Sequence, residues 1–318
     1  MEAVVQKRRS RGVRTATGKR VRPTERDIIW FQKIQEHGPL PTSYLYEFTK
    51  HLTPTLGVAK NRLSVLFHED RTEHGGPYLD RPGQDYSNVT LFQEDVYDLT
   101  RAAEIALEAA GFPVPAKRRE NHKNYQHEFM ASCTAASTEI AVRDDQHLEW
   151  ISQDAVLKNS PTQSLKVPCS ISRNGITSTR SLIPDGLFGI KYPGPKFRVF
   201  AIEDDRSNEP WTRANLDETS YLAKFLRYRE VIEGGTYKEH YGIKSGMLVL
   251  NIMVSARHAQ NVMDNIMKET DGRGCPYMLF KSVPCFANRI TVPPVMRELV
   301  TTPWVRAGFP PININKID

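Results

Sequence analysis

The sequence SLIPDGLFGIKYPGPKFRVFAIEDD, residues 181–205, places acidic residues at the ends of two apolar runs. Asp185 precedes the first run, a Pro/Gly turn follows it, and the second run ends in Glu203, Asp204 and Asp205. This pattern predicts a β-hairpin, in which the start of the first strand lies beside the end of the second. Asp185 is therefore expected to approach Glu203. Strand alternation places Glu203 and Asp205 on one face and Asp204 on the other.

The three carboxylates of Asp185, Glu203 and Asp205 would repel one another unless they shared a positive partner. Hard divalent cations such as Mg²⁺ are held by oxygen ligands of this kind. We therefore predict Mg²⁺ as the cofactor of an active site here, with these three residues as its ligands. The alternative is a solvated acidic turn at the end of a surface hairpin.

The pair Pro184-Asp185, followed by Glu203-x-Asp205 after a turn, resembles the PD-(D/E)XK motif of the restriction-endonuclease-like superfamily. The motif of that superfamily ends in Glu-x-Lys, and Asp205 stands where the lysine belongs. Some members supply the lysine from the following helix, where this chain has Lys224. The resemblance implies catalytic roles for Asp185, Glu203, Asp205 and Lys224.

A helix is predicted for residues 216–232, with Tyr221, Lys224 and Tyr228 along one side. Together with the acidic motif, this segment resembles the replication-relaxation family of plasmid and mobile-element proteins. Members combine an amino-terminal winged helix with a nuclease-like carboxy-terminal domain. The resemblance covers the chain from about Thr24 to its end, and it implies binding to double-stranded DNA.

The length and composition of the chain indicate its domain number and its cellular environment. A length of 318 residues favours two domains, each able to bury a core. No run of 18 apolar residues occurs, and the basic amino terminus lacks the apolar segment of a secretion signal. Four cysteines without CxxC spacing suit a reduced protein: Cys133, Cys169, Cys275 and Cys285. We therefore expect a cytoplasmic protein without a membrane span.

The positive charge is concentrated at the amino terminus. Residues 1–22 hold eight Lys/Arg and one Glu, whereas the remaining 35 basic and 36 acidic residues nearly cancel. Such a segment has too few large apolar residues for a core, so residues 1–22 are predicted to be a disordered arm. Arg8, Arg9 and Arg11 are expected to contact DNA phosphates. The alternative is a solubilising tail.

Residues 23–112 are predicted to form a winged helix-turn-helix domain. The pattern indicates four helices and a hairpin that serves as the wing: helices at 24–37, 42–50, 55–69 and 94–110, and the hairpin at 77–91. The third helix has Leu56, Ala59, Leu63, Leu66 and Phe67 as its expected inward side.

The residues expected to contact DNA lie on and near the third helix. The helix-turn-helix arrangement directs Lys60, Asn61 and Arg62 to the major groove, and Arg71 and Arg81 to phosphates. The alternatives are a winged helix used for protein contacts, or packed helices with charged exteriors. A homodimer is a further expectation, because winged-helix proteins often bind paired half-sites.

Prolines and a basic triplet at residues 113–120 indicate a linker. Residues 121–318 then form the predicted nuclease-like domain. Its expected element order is a helix, strands leading to the acidic hairpin, a helix, a strand and a helix. The predicted fold is α/β, or α+β overall, with a central mixed sheet in this second domain.

Three functions are consistent with the sequence. The first is a DNA-binding protein of a plasmid, phage or other mobile element, which acts in replication control or transcription and has a degenerate nuclease-like domain. The second is an active Mg²⁺-dependent endonuclease that uses Asp185, Glu203 and Lys224. The third is a non-enzymatic protein that recruits a replication or conjugation protein. Nucleotide hydrolysis and zinc proteolysis lack their motifs.

Overall fold

The chain has mixed α and β structure, which confirms the expected α+β class. The computed structural model describes five ranges: 12–82, 94–114, 125–206, 209–287 and 292–317. They form two compact units, residues 1–136 with 290–295, and residues 137–289 with 296–318. The division falls within the helix Tyr125–Asp144, and most of the predicted linker 113–120 lies outside the described residues. In the five ranges, no helix has both the length and the apolar character needed to cross a bilayer.

The first unit is mainly helical. Its elements are α1 (Glu25–His37), β1 (Leu40–Pro41), α2 (Thr42–Thr49), α3 (Leu56–His68), β2 (Leu79–Asp80), β3 (Val96–Leu99), α4 (Arg101–Ala109) and the first part of α5 (Tyr125–Asp144). The three predicted amino-terminal helices are therefore confirmed. The backbone N–H of Thr24 donates to Asp27 Oδ2 at 2.8 Å, which caps α1. Gly38, with φ +98°, ends it.

The predicted helix 94–110 is wrong over its first half. Val96–Leu99 forms β3, the middle strand of an antiparallel sheet with the order β1-β3-β2. All four residues of β3 are buried, so backbone pairing on both sides overrides the helical pattern of the sequence. The second strand of the predicted wing, residues 86–91, lies outside the described residues. The winged helix therefore stays a prediction.

Residues 12–22 belong to the predicted disordered arm, and in the structure they follow the end of α3 in an extended conformation. The N–H of Thr15 donates to His68 Nδ1 at 3.0 Å, and the N–H of Thr17 donates to Glu69 Oε2 at 2.9 Å. Val21 is buried and forms a bridge with Thr72. These contacts satisfy backbone groups that the charge pattern alone would leave in water. Arg8, Arg9 and Arg11 lie outside the described residues.

The second unit contains a seven-stranded mixed sheet with the order β12-β11-β10-β9-β8-β7-β4. After the end of α5, its elements are β4 (Glu149–Ile151), α6 (Gln153–Lys158), β5 (Ile171–Arg173), β6 (Ile176–Ser178), β7 (Gly186–Lys191), β8 (Phe197–Asp205), α7 (Tyr221–Glu233), α8 (Thr236–Tyr241), β9 (Met247–Met253), α9 (Ala256–Glu269), β10 (Met278–Ser282), α10 (Glu298–Thr301), β11 (Trp304–Arg306) and β12 (Phe309–Ile312).

The predicted β7–β8 hairpin is confirmed, because the two strands pair in antiparallel fashion with Gly186 opposite Ile202. β8, β9 and β10 are mutually parallel, and the helices α7 and α9 connect them. Val199 and Ala201 of β8 share one hydrophobic core with residues of both helices. Because side chains alternate along a strand, the next residues on that face of β8 are Glu203 and Asp205.

The helix predicted from residue 216 begins five residues later, at Tyr221. Ser220 is its N-cap, and its Oγ accepts a hydrogen bond from the N–H of Ala223 at 3.3 Å. Leu222, Phe225 and Leu226 are buried, as the helical spacing predicts. The cap places Lys224 in the first full turn of α7.

Candidate functional site

The hairpin register brings Asp185 to the end of β8. The N–H of Asp185 donates to the carbonyl of Ile202 at 3.0 Å, and its carboxylate Oδ2 accepts from the N–H of Asp204 at 2.9 Å. Asp185 is partly exposed, whereas Glu203, Asp204 and Asp205 are buried. Asp185 therefore forms the solvent-facing edge of the candidate site.

Glu203 extends from β8 to the side of α7. Its Oε2 lies 2.9 Å from the ammonium Nζ of Lys224, and its Oε1 accepts a hydrogen bond from the hydroxyl of Tyr228 at 2.5 Å. The ammonium of Lys224 also lies 3.2 Å from Oε2 of Glu209. The predicted helix residues Lys224 and Tyr228 thus both contact the carboxylate at the end of the hairpin.

Burial and charge shift the protonation of this group. Burial is the main cause that raises the pKa of Glu203 to about 7, and the charge of Asp185 adds to it, while Lys224 and Tyr228 act in the opposite direction. Burial alone would lower the pKa of Lys224, but the carboxylates of Glu203 and Glu209 outweigh it and raise that pKa well above its ordinary value. Lys224 is therefore a permanent cation near neutral pH.

Asp205 contacts a different helix from the one that contacts Glu203. Among the described residues, the carboxylate oxygens of these three do not all lie within 4.8 Å of one another. Instead Asp205 Oδ2 lies 2.9 Å from Nε2 of His258, in the first turn of α9. Glu203 and Asp205 are two residues apart on β8, which separates their backbones by about 6.6 Å. Asp205 is the residue that contacts α9. A cation shared by all three carboxylates therefore stays a prediction, and the structure adds a partner for Asp205 on α9.

A buried polar pair lies beside the site. The hydroxyl of Tyr221 donates to Oδ1 of Asn251, and Nδ2 of Asn251 donates to the carbonyl of Leu279 at 3.1 Å. Asn251 is fully buried and pairs with Glu203 across the β8–β9 ladder. The sequence analysis missed Asn251. The available signal was a single amide side chain within the apolar run 246–254.

Asp185 and Glu203 are the two predicted ligands whose chemistry suits a divalent cation at the solvent-facing edge of the site. Mg²⁺ is commonly held by one or two carboxylates, with waters and substrate phosphates completing its coordination. Asp185 and Glu203 offer this donor set, and Asp185 is open to solvent. The charge of Asp185 raises the pKa of Glu203, so the two carboxylates repel each other when both are ionised, and a bound cation would relieve that repulsion.

The predicted DNA-contact residues of the first unit divide into two groups. Lys60 and Asn61 are exposed on α3, and Arg71 is exposed beyond its end. The guanidinium of Arg71 donates to the carbonyl of Gly18 at 3.3 Å, which fixes it beside the extended segment 12–22. These three side chains lie on the surface of the first unit, where a ligand can reach them.

Two other predicted DNA-contact residues form ion pairs with buried acidic side chains. Arg62 Nη2 lies 2.6 Å from Oδ2 of the fully buried Asp27. The side chain of Arg81 is only 3% exposed and lies 3.0 Å from Asp95, and its guanidinium stacks 4.2 Å from the ring centre of Phe67. Both side chains neutralise buried acidic groups, and their predicted roles in groove and phosphate contact stay predictions.

Comparison of the chain with protein-family models, with curated proteins and with solved structures gives no match. The functional interpretation of the site therefore depends on its own geometry and chemistry.

Proposed function

We propose that this chain is a DNA-binding protein whose second unit contains a divalent-cation-dependent nuclease centre. The observation that carries the proposal is the contact of 2.9 Å between Lys224 Nζ and Glu203 Oε2. It supplies an ammonium group, from the helix that follows the acidic hairpin, to a carboxylate that neighbours Asp185. A cation, two carboxylates and a lysine are the groups needed to hydrolyse a phosphodiester.

Each residue has a role in this chemistry. Asp185 and Glu203 would hold Mg²⁺, which when bound supplies an activated water and charge stabilisation at the phosphate. Lys224 provides a fixed positive charge where negative charge develops on the scissile phosphate. Tyr228 holds the carboxylate of Glu203 in one orientation through its hydroxyl. Burial of this network excludes bulk water and strengthens each electrostatic contact.

The charge distribution supports DNA as the substrate. Residues 48–68, from the end of α2 through α3, contain no Asp or Glu. The same stretch has Lys50 and Lys60 exposed, and Arg71 is exposed close to its end. The basic amino-terminal residues add further positive charge. The stretch 48–68 itself therefore has no acidic group that would repel a polyanion, whereas Asp70 and Glu73 are exposed beside Arg71.

A second candidate is a regulator of replication or transcription that binds DNA without cutting it. The observation that favours it is that both carboxylate oxygens of Glu203 have partners in the chain, Lys224 and Tyr228. This closed network satisfies Glu203 without a cation. On this hypothesis the second unit keeps the arrangement of the residues and has lost the cleavage reaction.

A cleavage and binding experiment separates the candidates. Supercoiled plasmid is incubated with the full chain in Mg²⁺, Mn²⁺, Ca²⁺ or EDTA, and the same samples are run in a low-salt gel shift. The variants are Asp185→Asn and Lys224→Met, with Glu149→Gln as the control, because Glu149 is an exposed carboxylate paired with Lys191 on another part of the sheet.

The nuclease proposal expects nicking in Mg²⁺ or Mn²⁺ that both site variants lose and the control keeps. Binding to DNA without nicking in the presence of any of these cations would support the regulator hypothesis and contradict the nuclease hypothesis. If the protein failed to shift duplex DNA at low salt, where phosphate contacts are strongest, both the nuclease and the regulator proposals would be wrong.

A further inference from the structure

We infer that the exposed first turn of α3 is a reading surface for the major groove, which contacts thymine methyl groups and approaches the DNA with its backbone at Gly57. The inference rests on the proposed DNA binding, and it specifies which chemical features of the duplex the protein would select. Four residues carry it: Leu56, Gly57, Lys60 and Asn61.

The first observation is the exposure of apolar side chains at the start of α3. Leu56 is 42% exposed and Val58 is 40% exposed, and Leu52 in the preceding turn is 39% exposed. Leu56 was predicted to face the core, and its exposure shows that this prediction is wrong. Leu63 and Leu66, further along the helix, are fully buried.

The second observation is a glycine without a structural reason. Gly57 lies in the first turn of α3, and its φ is not in the left-handed region. A Cβ built on Gly57 would contact only Thr55 Oγ1, at an ordinary distance of 3.8 Å. Glycine lowers helix stability relative to alanine, so the fold alone would favour a side chain here. The missing side chain leaves the backbone of this turn accessible to a partner.

The third observation identifies the partner by charge and shape. The stretch 48–68 contains no acidic residue, and Lys60 lies one turn after Leu56 on the same side of the helix. Asn61 lies one turn after Gly57. A helix of about 10–12 Å diameter fits the major groove of about 12 Å. Polyanionic duplex DNA is therefore the occupant that matches this surface.

Each exposed group has a matching feature in the groove. Lysine donates to the O6 and N7 acceptors of guanine, asparagine pairs with the N6 and N7 atoms of adenine, and apolar side chains contact the thymine methyl. Leu56 and Val58 lie in the first turn of α3, and Lys60 and Asn61 lie in the turn that follows. The surface thus combines polar readout of purines with apolar readout of thymine.

The test begins with selection of duplexes from a random pool by the full chain. The selected duplex and a copy with every thymine replaced by uracil, which removes only the methyl groups, are then compared by fluorescence anisotropy at one salt concentration. Gly57→Ala and Leu56→Ala are measured beside the wild type. Gly246→Ala is the matched control, because Gly246 is exposed in the second unit and a Cβ there also meets open space.

We expect the uracil duplex to bind wild type about fivefold or more weakly, and Leu56→Ala to bind both duplexes with nearly equal affinity. Gly57→Ala should melt at an equal or higher temperature than the wild type, yet bind the selected duplex about tenfold more weakly. Gly246→Ala should bind like the wild type. The combination of a more stable helix and weaker binding separates contact with DNA from damage to the fold.

Three outcomes would overturn the inference. The first is DNA binding that neither the uracil substitution nor Gly57→Ala weakens, which would leave the proposed DNA binding intact. The second is selection that yields no preferred sequence, which would indicate phosphate contact alone. The third is that the protein binds no duplex from the pool, in which case the proposed DNA binding is also wrong.

Discussion

The ammonium of Lys224 on α7 and the carboxylate of Glu203 at the end of β8 form a buried ion pair, with 2.9 Å between Nζ and Oε2. Taking two charges out of water costs free energy, and a well-packed apolar pair of similar size is often no less stable. The pair is therefore weak support for stability alone. Its position next to Asp185 supports the proposed role in phosphate chemistry.

Replacing Lys224 with methionine should destabilise the second unit in a pH-dependent way. The variant removes the cation and leaves the carboxylate of Glu203 buried, which costs about 3 kcal/mol while that carboxylate is charged. At pH 5 the carboxyl is protonated and the loss should be smaller. Urea unfolding of wild type and variant at pH 5 and pH 8 measures the difference. An equal loss at both values would show that Lys224 acts through packing instead of charge.

Glu203 itself should make the wild type less stable as the pH rises from 4.5 to about 7. Its pKa is raised to about 7 in the folded chain by burial and by Asp185, against an ordinary value of 4.5. The folded state therefore holds a proton that the unfolded state has released, and stability falls as that proton is lost.

Glu203→Gln removes this titration and gives the matched comparison. The difference in unfolding free energy between wild type and Glu203→Gln should change by about 3 kcal/mol between pH 4.5 and pH 8, in the direction that disfavours the wild type at high pH. Denaturant unfolding at half-unit intervals checks this. Two parallel curves would mean that the carboxyl titrates near its ordinary pKa.

Divalent cations should stabilise the second unit through Asp185 and Glu203. A ligand present at one hundred times its dissociation constant stabilises the folded state by about 2.7 kcal/mol, which raises the melting temperature by roughly 5–10 °C for a unit of this size. The increase in melting temperature caused by Mg²⁺ or Mn²⁺ should be larger at pH 8 than at pH 6, because Glu203 must lose its proton to bind a cation. Melting curves with Asp185→Asn, which should show no rise, provide the control.

The sequence predicted the second unit well because its signals are local. The apolar runs that became β7, β8 and β9 are bounded by turns or by charge, and the spacing in α9 is strongly helical. The strand β3 was mistaken for a helix because its partners β1 and β2 are distant along the chain. Short elements such as α6 and the β5–β6 hairpin have too few residues for a periodic pattern.

The positions of the site residues could be predicted where they depend only on strand alternation and helical spacing. Asp185, Glu203 and Lys224 lie in one neighbourhood, as the spacing indicated. The position of His258 depends on how α9 packs on the sheet, so its contact with Asp205 has no local signal in the sequence. The same limit applies to Arg62, whose acidic partner Asp27 lies 35 residues earlier.

Arg62 and Lys60 lie two residues apart on α3, and their substitution should have opposite consequences. The guanidinium of Arg62 contacts both carboxylate oxygens of the buried Asp27, so Arg62→Ala leaves that charge without its cation and should cost about 2–3 kcal/mol of stability in the first unit. Lys60 is exposed, so Lys60→Ala should leave the melting temperature unchanged. The variant should bind DNA more weakly, and its affinity should depend less steeply on salt concentration than that of the wild type. Calorimetry and anisotropy titrations at two salt concentrations measure both effects. If Arg62→Ala folded as stably as wild type and lost DNA binding, Arg62 would be a groove contact, and its ion pair with Asp27 would contribute little to stability.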